Sequence, residues 1–376
     1  MQKITNLKVF YHGRIVGTMA LYKNFIAAFE YDKGWLAEGF SISPYSLPLR
    51  QQVFIPKADV FDGLFGVFAD SLPDGWGRLL VDRLLLKRRL NPAALTQMDR
   101  LGIVGASGMG ALTYQPEIIL EDKSPVVDFD KIAQECSKML ATEYSDDLDN
   151  LFKLGGSSGG ARPKILTSIE GEEWIIKFPA KEDDKNIGRQ EYEYSQCAKK
   201  CGINMAETKL FPSSSCAGYF GTKRFDRVKK SDGSIEQVHM VSVAGLLETS
   251  HRIPNLDYDI LMKLTLNLTR NFSEVEKLFR LMCFNVFAHN RDDHSKNFSF
   301  LYNEAEKRWV LAPAYDLTYS NSIGGEHATT VHGNGQNPGM KEVLAVAKDI
   351  GINSIRAREI AETVYECIKM DLKQYI

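Results

Sequence analysis

Residues 287–302 read FAHNRDDHSKNFSFLY, a cluster of two carboxylates (Asp292, Asp293), two histidines (His289, His294) and two asparagines (Asn290, Asn297) set between apolar runs. Phosphoryl transfer to a hydroxyl asks for such a set. A carboxylate orients the hydroxyl and accepts its proton, an Asn five positions later holds Mg²⁺, and a short strand pair leads to a second, metal-binding Asp. Asp292-x4-Asn297 has that spacing, and the continuation NFSFLYNEAEKRWVLAPAYDL supplies two β-like runs ending at Asp316. Taken singly, each residue has a plain explanation as a loop cap or turn residue. Their joint order and spacing favour a site. A metal hydrolase built on His289 and His294 is the competing reading, but no H-E-x-x-H pattern and no third well-placed ligand accompany them.

Upstream, residues 154–180 read LGGSSGGARPKILTSIEGEEWIIKFPA. Glycines let backbone N–H groups approach anionic oxygens, so this is a candidate phosphate loop. It is not a Walker loop, because Gly155-x4-Gly160 is followed by Ala161 and Arg162 rather than Lys and Ser/Thr. Two β-like segments flank the turn IEGEE, and Lys177 on the second matches the strand lysine with which kinases hold nucleotide phosphates. NIGRQEYEYSQCAKKCG then reads as a helix on which Glu191 or Glu193 is available to pair with that lysine.

The rest of the chain reads as two parts. LKVFYHGRIVGTMALY alternates apolar and polar residues about YHGR, predicting a hairpin over 7–22. In DSLPDGWGRLLVDRLLLKRRL, a turn at 73–75 feeds a helix expected to end near Leu90, with Arg83, Lys87, Arg88 and Arg89 as a solvated face. NPAALTQMDRL predicts another helix, with Asn91 as cap and Pro92 at its first position. The charged, Pro-bearing PEIILEDKSPVVDFD reads as a linker, placing a boundary near residue 120, and DFDKIAQECSKMLATEY beyond it as an amphipathic helix. The expected domains are therefore 1–120 and 121–376. With 376 residues, 44% hydrophobic and 25% charged, the chain has material for a substantial core. Its 46 basic and 48 acidic residues, net −2, give no global reason to bind nucleic acid or an anionic membrane. Six cysteines without a C-x-x-C pair predict reduced, buried thiols, and no run approaches a membrane span, so a cytoplasmic location is expected.

FADSLPDGWGRLLVDRLL, LGIVGASGMGALTYQP, SSGGARPKI, IIKFP, KRFDR, DDHSKNFSFL and LAPAYDL together resemble the HipA-like serine/threonine kinase toxins of bacterial toxin–antitoxin systems over nearly the whole chain. The resemblance implies an α+β, two-lobed, protein-kinase-like fold with a small β-rich N-terminal subdomain and a helical C-terminal lobe. It implies ATP and Mg²⁺ as cofactors, Asp292 as catalytic base, and Asn297 and Asp316 as metal ligands. Nucleotide contacts would come from Gly159, Gly160, Ala161, Arg162, Lys164, Lys177, His294, Lys296 and Tyr315, with Lys223 and Phe225 at the adenine side. In well-known members a loop serine is autophosphorylated, ejecting the loop; Ser157 matches it, with Ser158 as the adjacent alternative. The loop departs from the commoner family form at Gly159, Arg162 and Pro163. Implied partners are a helix-turn-helix antitoxin, a protein substrate such as an aminoacyl-tRNA synthetase, and DNA only through the antitoxin, with no membrane. Two alternatives stand beside this: a binding module acting as corepressor with its antitoxin, and a small-molecule or lipid kinase.

Overall fold

The structure, a computed structural model, describes residues 3–23, 25–57, 60–119, 128–143, 145 and 147–376. The boundary expected near residue 120 lies outside them. By packing, the chain forms two compact units that interleave in sequence: 1–185 with 211–250, and 186–210 with 251–376.

The first unit begins with an antiparallel sheet in the order Val53–Phe54, Ile26–Tyr31, Arg14–Tyr22, Asn6–Tyr11, Leu112–Gln115. The expected hairpin is its centre: Asn6–Tyr11 pairs with Arg14–Tyr22 around a two-residue turn in which His12 (φ 47°) and Gly13 (φ 76°) are both left-handed. This is the turn whose twist matches paired strands. The helix expected after the turn at 73–75 runs Gly75–Lys87, ending before Leu90 because Arg89 turns left-handed (φ 59°). The single helix expected from Asn91 is instead two pieces. Asn91 caps only a short 3₁₀ turn, Pro92–Ala94, and a separate helix, Gln97–Val104, starts at a capping box in which Thr96 and Asp99 satisfy each other's backbone N–H groups. Of the basic cluster, Lys87, Arg88 and Arg89 are exposed and Arg83 is partly so; Lys87 pairs with Asp149.

Further along, helices Phe129–Leu140 and Leu148–Gly155 precede the predicted hairpin Lys164–Ile169/Glu172–Lys177, which closes through left-handed Glu170 and Gly171. Strand Tyr219–Lys223 pairs antiparallel with the second arm. Trp76 and Leu80, Ile132 and Cys136, Leu151 and Leu154 pack on Ile165, Trp174 and Ile176, so three helices share one core with this sheet.

His239 is wholly buried in the first unit, between Tyr11 and Phe40 rings at 6.3 and 5.6 Å, with Nε2 2.8 Å from the Ile42 carbonyl oxygen. Burial pushes its imidazole down to about 4 from 6.5, against the opposing hydrogen bond. A depressed histidine stabilises the fold fully above its unfolded value and progressively less as pH falls toward its folded one. Unfolding free energy is therefore expected to fall by about 3 kcal/mol between pH 6.5 and pH 4 from this residue. Urea titrations across that range should show the slope in the wild type and a flatter profile in His239→Gln.

The second unit is mainly helical: Ile187–Lys200, as predicted, then Tyr258–Thr269, Phe272–Phe287, Met340–Ile350 and Ser354–Asp371. Helix Phe272–Phe287 buries Leu278, Phe279, Met282, Cys283 and Phe284, so its C-terminal end is a rigid platform for the segment that follows. The two β-like runs after Asn297 form the antiparallel hairpin Ser299–Asn303/Arg308–Leu311. Leu256–Asp257 pairs in parallel with Thr329–Thr330 of strand Glu326–Val331.

Candidate active site

In the first unit the glycine-rich segment follows helix Leu148–Gly155 and leads into strand Lys164–Ile169. Its position is set by a neighbour that the sequence does not advertise, the start of helix Gly75–Lys87. The Trp76 N–H donates to the Gly160 carbonyl (2.9 Å), the Trp76 indole donates to the Lys164 carbonyl (3.0 Å), and the Gly160 N–H donates to the Asp74 carboxylate. The contact is close enough to demand glycine: a Cβ on Gly77 would lie 2.2 Å from the Ser158 carbonyl oxygen. Gly160 itself is left-handed (φ 85°), and a Cβ there would meet Lys164 Nζ at 2.5 Å, so the lysine head is folded over a backbone cradle.

Lys164 and Lys177 are directly opposite in the hairpin register. Their side chains rise from the same face, and like charges so placed repel unless an anion offsets them. Lys164 is buried, while the Lys177 ammonium lies 5.6 Å from the Phe220 ring centroid. Asp183 accepts from Arg162 along one guanidinium edge, from Nε at 3.0 Å and Nη2 at 3.1 Å. Gly159 is half-buried and Ala161 exposed. Of the two serines, Ser158 is buried with its hydroxyl donated to the Gly155 carbonyl at 2.5 Å, whereas Ser157 is only partly buried. Lys223 stands three residue pairs along the sheet from Lys177, opposite Trp174, and pairs with Glu172 at 2.5 Å. Phe225 is half-buried beside it in sequence.

In the second unit, His289 (φ 52°) turns the chain out of helix Phe272–Phe287, and the loop is then fastened from several sides. Ser320 N–H donates to the His289 carbonyl at 3.0 Å, Ala328 N–H to the Arg291 carbonyl at 3.0 Å, and Asn290 Nδ2 to Asn285 Oδ1 at 2.9 Å. Asp292 and Asp293, adjacent in sequence, have opposite environments. The Asp292 side chain is 65% exposed. Asp293 is buried and accepts from Tyr258 Oη (2.9 Å), His327 Nδ1 (3.0 Å) and the Thr329 N–H (3.1 Å). Asp293 thus anchors the loop from below while Asp292 faces out. Burial, then the Asp293 charge, keep the Tyr258 phenol firmly protonated, so it remains a donor to that carboxylate.

Asn297 Nδ2 donates to the Asp292 backbone carbonyl at 2.7 Å. That bond uses the amide nitrogen and leaves the amide oxygen available as a donor atom. His294 caps the short turn Ser295–Asn297, its Nδ1 accepting from the Lys296 N–H at 3.2 Å, and its Nε2 lies 3.9 Å from Asp292 Oδ1. Tyr315 donates its hydroxyl to the Lys296 carbonyl (2.6 Å) and shares a 2.6 Å bond with the Ser299 hydroxyl, tying the strand hairpin to the loop. Asp316 is half-buried with φ 56°, a conformation that aspartate tolerates and that concentrates at functional sites. Ser295 Oγ and Thr318 Oγ1, each two residues from one of these oxygen donors, are buried without a protein hydrogen bond. A carboxylate and an amide oxygen suit Mg²⁺, which takes oxygen ligands and keeps several waters. As for the glutamates expected to face Lys177, Glu191 is buried, and Glu193 accepts from Tyr375 Oη (2.6 Å) and Gln374 Nε2 (2.8 Å).

Residues 156–372 match the HipA-like C-terminal domain, and residues 7–115 match the HipA N-terminal domain. The chain belongs to the HipA-like family. Two proteins of Sinorhizobium fredii, each named as a candidate kinase, are similar to it: Y4mE, 26% identical across 83% of this chain and 76% of its own length, and Y4dM, 23% identical across 84% and 78%. In fold, this HipA-like chain is similar to HipA in the Shewanella oneidensis HipA–HipB–operator DNA complex, with a TM-score of 0.73 at 17% identity over 98% of this chain and 90% of that one. The α+β, HipA-like architecture and a kinase-like enzymatic function accord with both comparisons. Among the described residues no helix is long and apolar enough to cross a membrane.

One motif of this HipA-like chain does something its expected role at the adenine side leaves out. In KRFDR, Asp226 is fully buried and accepts from Arg224 (2.7 and 3.0 Å), Arg227 (2.8 Å) and the Gly110 N–H (2.8 Å). The two guanidinium groups also donate to the Gly108 and Gly110 carbonyls, holding the GASGMG turn. Burial works to raise the Asp226 carboxyl, but Arg224 and then Arg227 outweigh it and hold it below its ordinary range. Alternation of charge across Arg224, Asp226 and Arg227 was the only signal for this cluster in the sequence.

Proposed function

We propose that this protein transfers the γ-phosphoryl group of ATP, with Mg²⁺, to a protein serine or threonine hydroxyl. The observation that carries the reading is the 2.7 Å bond from the Asn297 amide to the Asp292 backbone carbonyl, which ties the exposed carboxylate's residue to the amide across the five-residue spacing. In the step, the acceptor oxygen forms a bond to the γ-phosphorus and the bond to the β,γ-bridging oxygen breaks. Asp292 orients the hydroxyl and takes its proton. Asn297 and Asp316 would hold Mg²⁺, which when bound offsets charge on the phosphates. Lys164 and Lys177, opposed across their hairpin, are assigned to phosphate oxygens, with the Gly159–Gly160 backbone beside them. Arg162, His294, Lys296 and Tyr315 are assigned to shaping those two sets of groups.

Ser157 is the loop serine assigned to autophosphorylation, since Ser158 is buried and its hydroxyl engaged. A phosphate there adds about −1.5 to −2 charges beside groups that receive ATP phosphates, favouring an ejected loop and an inactive kinase. A helix-turn-helix antitoxin is the proposed partner, supported by the HipB-bound structural relative, with DNA reached through it. The resemblance points to a translation component such as an aminoacyl-tRNA synthetase as substrate.

Incubation with Mg·ATP is expected to add one phosphate at Ser157 in the wild type and none in Asp316→Asn, whose Mg·ATP affinity by calorimetry should also fall with its unfolding temperature unchanged. Equal modification and affinity in the two proteins would remove Asp316 from the metal site.

A further inference from the structure

Three of the six cysteines converge within the second unit. Cys197 lies on helix Ile187–Lys200, Cys201 caps that helix one turn later, and Cys367 comes from helix Ser354–Asp371. Their sulfurs all lie within 4.8 Å of one another. Sulfurs sharing a tetrahedral zinc at about 2.3 Å are about 3.8 Å apart, so a closure of at most about 1 Å suffices. The i, i+4 spacing presents Cys197 and Cys201 on one face, and the facing helix supplies the third ligand.

The surroundings match a cation. Cys201 stands at a helix C-terminus, where the backbone dipole is negative. Lys200, between the two helical cysteines in sequence, is held by Asp371 at 2.7 Å and places positive charge beside what would be a net-anionic thiolate cluster. Cys197 and Cys201 are buried, and Cys367 is partly exposed to solvent.

We propose that Cys197, Cys201 and Cys367 form a three-thiolate site for a thiophilic d¹⁰ cation, Zn²⁺ being the expected occupant. Binding replaces three S–H bonds with three S–metal bonds and releases three protons to solvent; no oxidant or reductant takes part. The site clamps the terminal helix to helix Ile187–Lys200, beside the Lys200–Asp371 pair and the Glu193–Tyr375 bond.

The test uses the full chain, reduced and metal-free, titrated with Cd²⁺ for the sulfur-to-metal absorption band and with Zn²⁺ for unfolding temperature. One equivalent of Cd²⁺ should give a band of three-thiolate intensity, Zn²⁺ should raise the unfolding temperature, and Zn²⁺ should protect these three cysteines from alkylation as mapped by peptide mass spectrometry. Cys367→Ser should reduce the band to two thiolates and abolish the zinc-dependent stabilisation; because Cys367 is partly exposed, this variant decides even where Cys197→Ser does not fold. Absence of the band at one equivalent, or a band and zinc response unchanged in Cys367→Ser, overturns the proposal.

Discussion

Replacing Asp292 with Asn is expected to lower phosphoryl transfer about 10²–10⁴-fold, the range that a positioned acid or base contributes, while ATP affinity and unfolding temperature stay near the wild-type values. The Asp292 side chain is 65% exposed, so its exchange for an isosteric amide disturbs no packing. Asp293→Asn should behave in the opposite way. The buried Asp293 carboxylate accepts from Tyr258, His327 and Thr329, and an asparagine there presents an NH₂ group to donors that need an acceptor. A stability loss of about 1–3 kcal/mol is expected, with the smaller activity loss following from a loosened loop. Phosphate transfer and chemical unfolding measured on both variants decide the matter: equal transfer losses at equal stability would mean that the base is misassigned.

That contrast also marks where sequence reading stops. Periodicity and turn chemistry place the first hairpin, the Lys164–Lys177 hairpin and the helices Gly75–Lys87, Phe129–Leu140 and Ile187–Lys200, because each is decided by local rules: alternation, left-handed turn residues, caps. The spacing Asp292-x4-Asn297 is likewise local, and both ends are held by one hydrogen bond. What sequence left hidden depends on distant partners. The spacing to Asn297 singles out Asp292, but nothing local shows that Asp293 is buried; that is decided by Tyr258, 35 positions before it, and by His327 and Thr329, 34 and 36 positions after it. Similarly, Gly75 reads as a turn residue, yet the lack of side chains at Gly75 and Gly77 lets the glycine-rich loop lie against that helix. The helix expected from Asn91 starts later for a local reason: the capping box at Thr96 and Asp99 is a stronger start than Asn91–Pro92.

Asp226→Ala is expected to destabilise the first unit by about 3–5 kcal/mol, the effect of leaving buried charge without its partner. Arg224 and Arg227 would then face each other's charge in a buried pocket, and the Gly110 N–H would lose its acceptor. Against a total stability of about 5–15 kcal/mol this approaches unfolding. The same physics sets a control. Arg224, Asp226 and Arg227 replaced together by apolar residues of similar volume should cost less than Asp226→Ala alone, because no charge is left behind to be desolvated. The pH dependence has a definite sign too: a depressed carboxylate contributes fully above its unfolded value near 4, and that contribution disappears as pH falls through the lower folded one. Urea unfolding of the single and triple variants at neutral pH tests the cluster directly, and a single variant no less stable than the triple would show that the arginines find other acceptors, such as the Gly108 carbonyl they already touch.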